Sequence, residues 1–420
     1  MPALLWPGDD RAGDHLGDSQ VVAAMLRVES AWLATLIDAG IAPAAAAADL
    51  GEQAGAVDPE ALAVAAEAGG NPVIPLVRQL RERLAGTHPE TARWLHRGLT
   101  SQDVLDTALV LGVRETTDAM LARMNAQVDS LAELAERHRA DVAAGRTLTQ
   151  HAVPVTFGLT AARWLYGVLE ARDDLCDARD RLPVQIGGAA GTLAAPAELL
   201  RRSGVGGDAL ALARAAAERL DLPWAPPWHT VRAPLTRLAD ALTRAVDAWG
   251  QIAADVLVRA RPEIAELAEP AGSGRGGSST MPQKANPILS ILVRRAALTA
   301  PGLAAQLHLA AADAVDERPD GAWHTEWMPL VQLARLGLTA ADQTAELLAG
   351  LHVDTGRMAR LVQATASGLL AEQRSLTALV EGPPEPDFDP AHYLGGTDAL
   401  IDDIVRRART ADRTRSGGRR

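Results

Sequence analysis

The sequence predicts an all-α protein, and three observations carry that prediction. Alanine, leucine and arginine dominate the 420 residues while aromatics make up only 3%, a mixture that favours packed helices over a β-sandwich. From Asp106 to His138 the apolar residues Leu109, Val113, Met120, Met124, Val128, Leu131 and Leu134 recur on one helical face without a proline, the pattern of a long amphipathic helix. Similar stripes follow Pro154 and Pro234, and two more begin near Pro287 and Trp327. About five long helices of this kind predict an elongated central bundle.

Taken in order, residues 1–105 read as an N-terminal domain of shorter helices, with Val21 to Ala39 the clearest. Residues 106–352 form the central bundle. Residues 353–420 read as a short C-terminal helical domain: a short helix, a proline-rich break from Gly382 to Pro390, a helix from Thr397 to Arg409, and a disordered basic tail. Three turn-forming breaks interrupt the helices, at Arg97 to Gln102, Gly187 to Thr192 and Gly272 to Pro282. Chemistry collects in such breaks. In the last, Gly272, Gly274, Gly276 and Gly277 precede Ser278, which predicts exposed backbone N–H groups and a closing lid.

The net charge of −12 disfavours nucleic acid and anionic membranes as partners, so an anionic small molecule must be drawn by a local basic focus. The single cysteine, Cys176, excludes an intrachain disulfide and a cysteine-based metal site. No leader segment and no apolar run long enough to cross a bilayer is expected, which predicts a cytoplasmic protein. Lys284 is the one lysine, against 40 arginines. It lies in the run Gly277-Ser278-Ser279-Thr280-Met281-Pro282-Gln283-Lys284-Ala285-Asn286-Pro287, where a compact ammonium that approaches one carboxylate oxygen end-on differs from a planar guanidinium.

That run resembles the signature of the fumarase, aspartase, argininosuccinate and adenylosuccinate lyase superfamily. Two further blocks agree in order and spacing: His96-Arg97-Gly98-Leu99-Thr100-Ser101-Gln102-Asp103, and Gly145-Arg146-Thr147-Leu148-Thr149-Gln150-His151-Ala152-Val153-Pro154. Within the superfamily the chain resembles the bacterial 3-carboxy-cis,cis-muconate cycloisomerases. Stretches similar to theirs include Pro227-Trp228-His229-Thr230, Ala322-Trp323-His324-Thr325-Glu326-Trp327 and Asp389-Pro390-Ala391-His392-Tyr393-Leu394-Gly395. Hydrolyases and ammonia lyases of the superfamily carry a relay histidine after the Arg-Thr pair and a glutamate five residues past the signature asparagine. Here those positions hold Leu148 and Ile291, as in the cycloisomerase branch.

The resemblance implies a homotetramer with active sites shared between subunits, a di- or tricarboxylate substrate, and a reaction through an aci-carboxylate, needing neither metal nor cofactor. Ser278 resembles the serine that removes or returns the α-proton. Lys284 would stabilise the serine anion and the doubly charged carboxylate, with Asn286, Ser279 and Met281 beside it. His151 could hold or donate a proton. His96, Thr100, Ser101, Gln102, Thr147 and Gln150 resemble substrate-binding positions that grip carboxylate oxygens, and Arg232 would add a bidentate clamp.

His229, His324 and Glu326 read equally as packing or chemistry. The region after His352 reads as abbreviated, and Ala233 follows Arg232 where relatives carry an acid. The rival functions are a fumarate-releasing lyase on a substituted succinate, nitrosuccinate-type or adenylosuccinate-type, and a catalytically silent structural homologue.

Overall fold

A computed structural model describes residues 3–272, 274–277, 280–281, 284–380 and 388–416. Its helices are α1 (Asp18–Asp38), α2 (Pro59–Ala66), α3 (Val73–Leu84), α4 (Pro89–Trp94), α5 (Ser101–Arg137), α6 (Phe157–Asp180), α7 (Ala194–Ser203) and α8 (Ala209–Arg219). They continue as α9 (Ala233–Arg259), α10 (Ile288–Ala312), α11 (Gly321–Ala349), α12 (Thr355–Leu369), α13 (Ala371–Leu379) and α14 (Thr397–Ser416). The fold class is all-α, and α5, α6, α9, α10 and α11 are the five long helices expected.

Two compact units are built from these elements: one from Met1–Ala119, Leu175–Leu242 and Pro301–Leu338, the other from Met120–Asp174, Thr243–Ala300 and Thr339–Arg420. Each long helix contributes residues to both.

In the first unit, Met25, Leu26, Trp32 and Leu36 of α1 and Leu76 and Leu80 of α3 are fully buried, following the three- and four-residue spacing of their apolar faces. Caps set several boundaries. The Asn71 side chain accepts the Val73 N–H at the start of α3, and Asp208 accepts the Ala211 N–H at the start of α8.

In the second unit, Trp249 of α9 is buried and donates Nε1–H to Gln127 of α5 at 2.7 Å, while Gln127 donates to the Ala341 carbonyl of α11 at 2.7 Å. This chain satisfies polar atoms that water cannot reach. Gly250 lets α9 approach α10, since a Cβ there would lie 2.4 Å from the Ala297 methyl.

Several expectations change. The block from Arg146 to Pro154 folds as an antiparallel hairpin, β1 (Val142–Thr147) and β2 (Gln150–Thr156), with a register shift between Ala144 and Arg146. Its turn residues Leu148 and Thr149 take positive φ, 49° and 72°, without the Asn-Gly that marks such turns in sequence. A second short pairing joins β3 (Leu267–Ala268) to β4 (His352–Val353). The last long helix starts at Gly321, ahead of Trp327, and keeps Pro329 inside it. The basic end is helical to Ser416; residues 417–420 lie outside the described residues.

The expectation that no run is long and apolar enough to span a bilayer also changes, because α1 and α10 both meet that length and composition. In α1 the apolar face is spent on the core of the first unit. In α10 part of it is exposed, with Leu298 at 76% and Leu309 at 70%.

Candidate active site

The first unit holds the block from His96 to Asp103. His96 sits at φ 59° and Gly98 at φ 95°, a tight corner between α4 and α5. The Asp103 carboxylate ties this corner to a second loop. It accepts N–H bonds from Thr100, Gly187 and Gly188, each at 2.9 Å, and lies 3.3 Å from His229 Nε2. One buried acid thus orders two of the turn-rich breaks at once, and His229 belongs to that scaffold.

Gln102 is buried and committed: its Nε2 donates to Asp106 at 3.2 Å and to the His229 carbonyl at 3.0 Å. Thr100 and Ser101 remain partly accessible. Arg232 differs from its expected role. Its Nε and Nη2 bind Glu326 and its Nη1 binds Asp106 at 2.7 Å, all buried. The fork expected to clamp a substrate carboxylate therefore clamps Glu326. Burial opposes the Arg232 charge, but the pull of Asp106 and the Glu326 hydrogen bonds outweighs it and holds the guanidinium above its ordinary value. Burial pushes the Glu326 carboxyl up, against the Arg232 contacts.

Trp323 Nε1–H donates to Asp106 at 2.8 Å, so the Trp-His-Thr-Glu-Trp run is largely packing. The ring nitrogens of His324 lie 2.9 and 2.8 Å from the Asp320 and Gly70 carbonyls.

Two residues emerge here that motif reading passed over. Arg318 donates to the Thr100 hydroxyl at 2.7 Å and lies over the Trp323 ring at 5.8 Å. It places a cation directly beside the expected carboxylate-binding hydroxyls, which an isolated Glu317-Arg318-Pro319 loop does not announce. Glu29 of α1 lies 2.5 Å from His96 Nδ1 and is fully buried. Its cue is an acid on the same helical face as Val22, Met25, Leu33 and Leu36.

The second unit holds the other two blocks. At the hairpin base, Arg146 pairs both Nη groups with Glu266 at 2.9 and 2.7 Å, and Arg259 joins at 3.1 Å. Burial lowers Arg259 despite Glu266, and Arg146 beside it adds to the effect. At the hairpin tip Thr147, Gln150 and His151 are all exposed, and Leu148 is 95% exposed.

Ser278 and Ser279 lie outside the described residues. Around them, the Gly276 carbonyl accepts both the backbone N–H and the side-chain Nδ2–H of Asn286 at 2.9 Å. Lys284 donates its backbone N–H to the Met281 carbonyl at 3.0 Å, and its side chain is exposed. Glu269 caps α10 by accepting N–H bonds from Leu289 and Ser290, which fixes the helix that begins directly after Asn286 and Pro287. Ile291 on its first turn is 43% exposed. The local chemistry is an ammonium and an amide, suited to stabilising carboxylate charge.

A family model described as lyase matches residues 44–302. Nitrosuccinate lyase of Streptomyces davaonensis is 43% identical over 363 residues, covering 85% of this chain and 76% of that protein. The 3-carboxy-cis,cis-muconate cycloisomerase of Bradyrhizobium diazoefficiens is 39% identical over 382 residues, covering 90% and 81%. The crystal structure of the 3-carboxy-cis,cis-muconate lactonizing enzyme from Pseudomonas putida superposes with a TM-score of 0.85 at 32% identity, covering 95% of this chain and 97% of that one.

Proposed function

The chain belongs to the lyase family of the fumarase/aspartase superfamily and is an enzyme of that class; from that premise we propose that it converts 3-carboxy-cis,cis-muconate to 4-carboxymuconolactone. The observation that carries this reading is the pair Leu148 and Ile291, apolar side chains at the two positions where the superfamily's hydrolyases and ammonia lyases carry the relay histidine and glutamate. Expelling an amine or hydroxide requires a proton donor at the departing atom. A carboxylate departs as a stable anion and requires none.

Lactone formation is that elimination run backwards. One substrate carboxylate adds to the conjugated double bond, electron density collects on a second carboxylate as an aci-carboxylate, and the adjacent carbon takes a proton. Lys284 and Asn286 would stabilise the aci-carboxylate, and Ser278 would return the proton. Arg318, with Thr100 and Ser101, would hold a further carboxylate. The nucleophile belongs to the substrate, so the reading calls for no metal or organic cofactor.

A second reading shares this logic: elimination of nitrite from nitrosuccinate, favoured by the 43% identity to a nitrosuccinate lyase. Nitrite is also a stable anion. The adenylosuccinate-type reaction expels an amine and fits the missing acid poorly.

We further propose a cytoplasmic homotetramer with shared active sites. Lys284, His151 and Gln150 are exposed in the single chain, whereas electrostatic catalysis needs a water-poor site, and α10 leaves Leu298 and Leu309 uncovered.

Ultraviolet assays test the function. Loss of the conjugated-diene absorbance of 3-carboxymuconate supports the cycloisomerase, a rise from fumarate supports the lyase, and silence on both overturns both. Ser278→Ala should abolish turnover of the active substrate.

A further inference from the structure

The described residues contain one imidazole at a strained backbone position that is held by a buried acid, and the acid lies outside the signature motifs. His96 stands at φ 59°, a conformation that costs a non-glycine residue free energy and persists where surrounding structure enforces it. That structure is visible. Trp32 donates Nε1–H to the Arg97 carbonyl at 2.7 Å, and Arg81 donates to the Leu95 carbonyl at 2.7 Å, pinning the chain on both sides of the histidine.

The ring's Nδ1 meets Glu29 Oε1 at 2.5 Å. Glu29 has 0% side-chain exposure while His96 keeps 18%, and the other carboxylate oxygen, Oε2, is buried with no hydrogen-bond partner. Nε2 of the ring makes no hydrogen bond among the described residues. Thr100 and Ser101 lie four and five residues later, with Arg318 bonded to the Thr100 hydroxyl. The charges facing Glu29 are the ring itself and the guanidinium of Arg81, which in turn feels Arg97.

We propose that Glu29 and His96 form an orienting dyad in which the buried Glu29 carboxylate accepts Nδ1–H and balances the charge of a doubly protonated ring, so that His96 Nε2–H donates to the reacting carboxylate of the substrate. Glu29 is the positioning residue, acting only through His96. In lactone closure the imidazolium holds and orients the nucleophilic carboxylate; in the reverse direction it stabilises the negative charge on the departing one. No proton changes owner in this step.

The dyad's role rests on the proposed function, and the experiment separates the two. Wild-type enzyme is assayed on 3-carboxymuconate and nitrosuccinate, and the variants on whichever substrate it consumes. Turnover of neither overturns both the proposed function and the dyad.

Given turnover, Glu29→Gln keeps size and an acceptor but removes the charge, and kcat should fall roughly 10- to 100-fold, the worth of a charge-assisted hydrogen bond, with melting temperature little changed. Should Glu29→Gln not fold, His96→Ala, at a partly exposed position, decides. Its kcat should fall at least as far and be restored several-fold by added imidazole, which a purely structural histidine would not allow. Wild-type kcat in either folded variant, or lost activity that imidazole fails to restore, overturns the dyad.

Discussion

Arg232 grips Glu326 from the side: its Nε lies 3.0 Å from both carboxylate oxygens and its Nη2 2.6 Å from Oε2, with both side chains buried. The same guanidinium binds Asp106, which in turn accepts from Trp323 and Gln102. One arginine therefore neutralises two buried acids under the loop that carries Thr100 and Ser101. Removing one partner of such a cluster leaves charge without compensation, which costs about 3–5 kcal/mol. Arg232→Met should lower the unfolding free energy by about that amount in denaturant titration at neutral pH, and a loss below about 1 kcal/mol would contradict the buried network.

Glu326→Gln should be milder, with a defined pH dependence. Burial raises the Glu326 carboxyl above its ordinary value of 4.5, so folding favours its protonated form. That contribution to stability is fully present below the unfolded value and is lost as pH rises through the folded one. Glutamine does not titrate. The stability of Glu326→Gln relative to wild type should therefore increase as the pH rises from about 4 to 7. Denaturant titrations across that range check it; a difference that moved the other way would mean that Arg232 dominates.

The hairpin tip stores conformational strain. Leu148 and Thr149 hold φ at 49° and 72°, positions that asparagine and glycine fill at lower cost. Leu148 is 95% exposed, so little packing within the chain is forfeited by replacing it. The double variant Leu148→Asn/Thr149→Gly should gain about 1 kcal/mol. A thermal melt checks this, and an unchanged or lower melting temperature would show that contacts between copies of the chain hold the leucine.

The long helices were legible in the sequence because their apolar residues repeat at the helical period over many turns, as at Val113, Met120 and Met124. The hairpin was not, because its turn uses Leu-Thr and its strands are short. Site positions carried by local motifs were legible as positions. Which of their side chains the fold consumes could not be read: Arg232 is spent on Glu326, a residue 94 positions away, and no local pattern reports such a pairing. Glu29 had a cue, an acid on an apolar face, but its partner His96 lies 67 positions on.

Gly276 is required by geometry. It stands at φ 73°, and a Cβ there would lie 2.5 Å from the Asn286 carbonyl oxygen and 3.1 Å from its nitrogen. Gly276→Ala must displace either the loop or Asn286, whose backbone and side chain both donate to the Gly276 carbonyl. Misplacement of about 1 Å can cost roughly 100-fold in rate. Turnover of the active substrate should fall by at least about 10-fold while the melting temperature moves little, and normal kinetics would remove Asn286 from the proposed site.

Lys284→Arg tests the single ammonium directly. The side chain is exposed in the chain, so the longer guanidinium meets no packing barrier to folding. Catalysis is another matter. An ammonium presents a point charge to one developing oxyanion, whereas a guanidinium spreads its charge over a planar fork and would meet the aci-carboxylate at a different distance and angle. Loss of one well-placed stabilising contact of this kind costs about 100- to 1,000-fold in kcat. Lys284→Arg should therefore keep the wild-type melting temperature and lose about two to three orders of magnitude in kcat. Retained turnover would mean that charge alone, and not its shape, is what this position supplies, and the retention of one lysine among 40 arginines would then have no catalytic account.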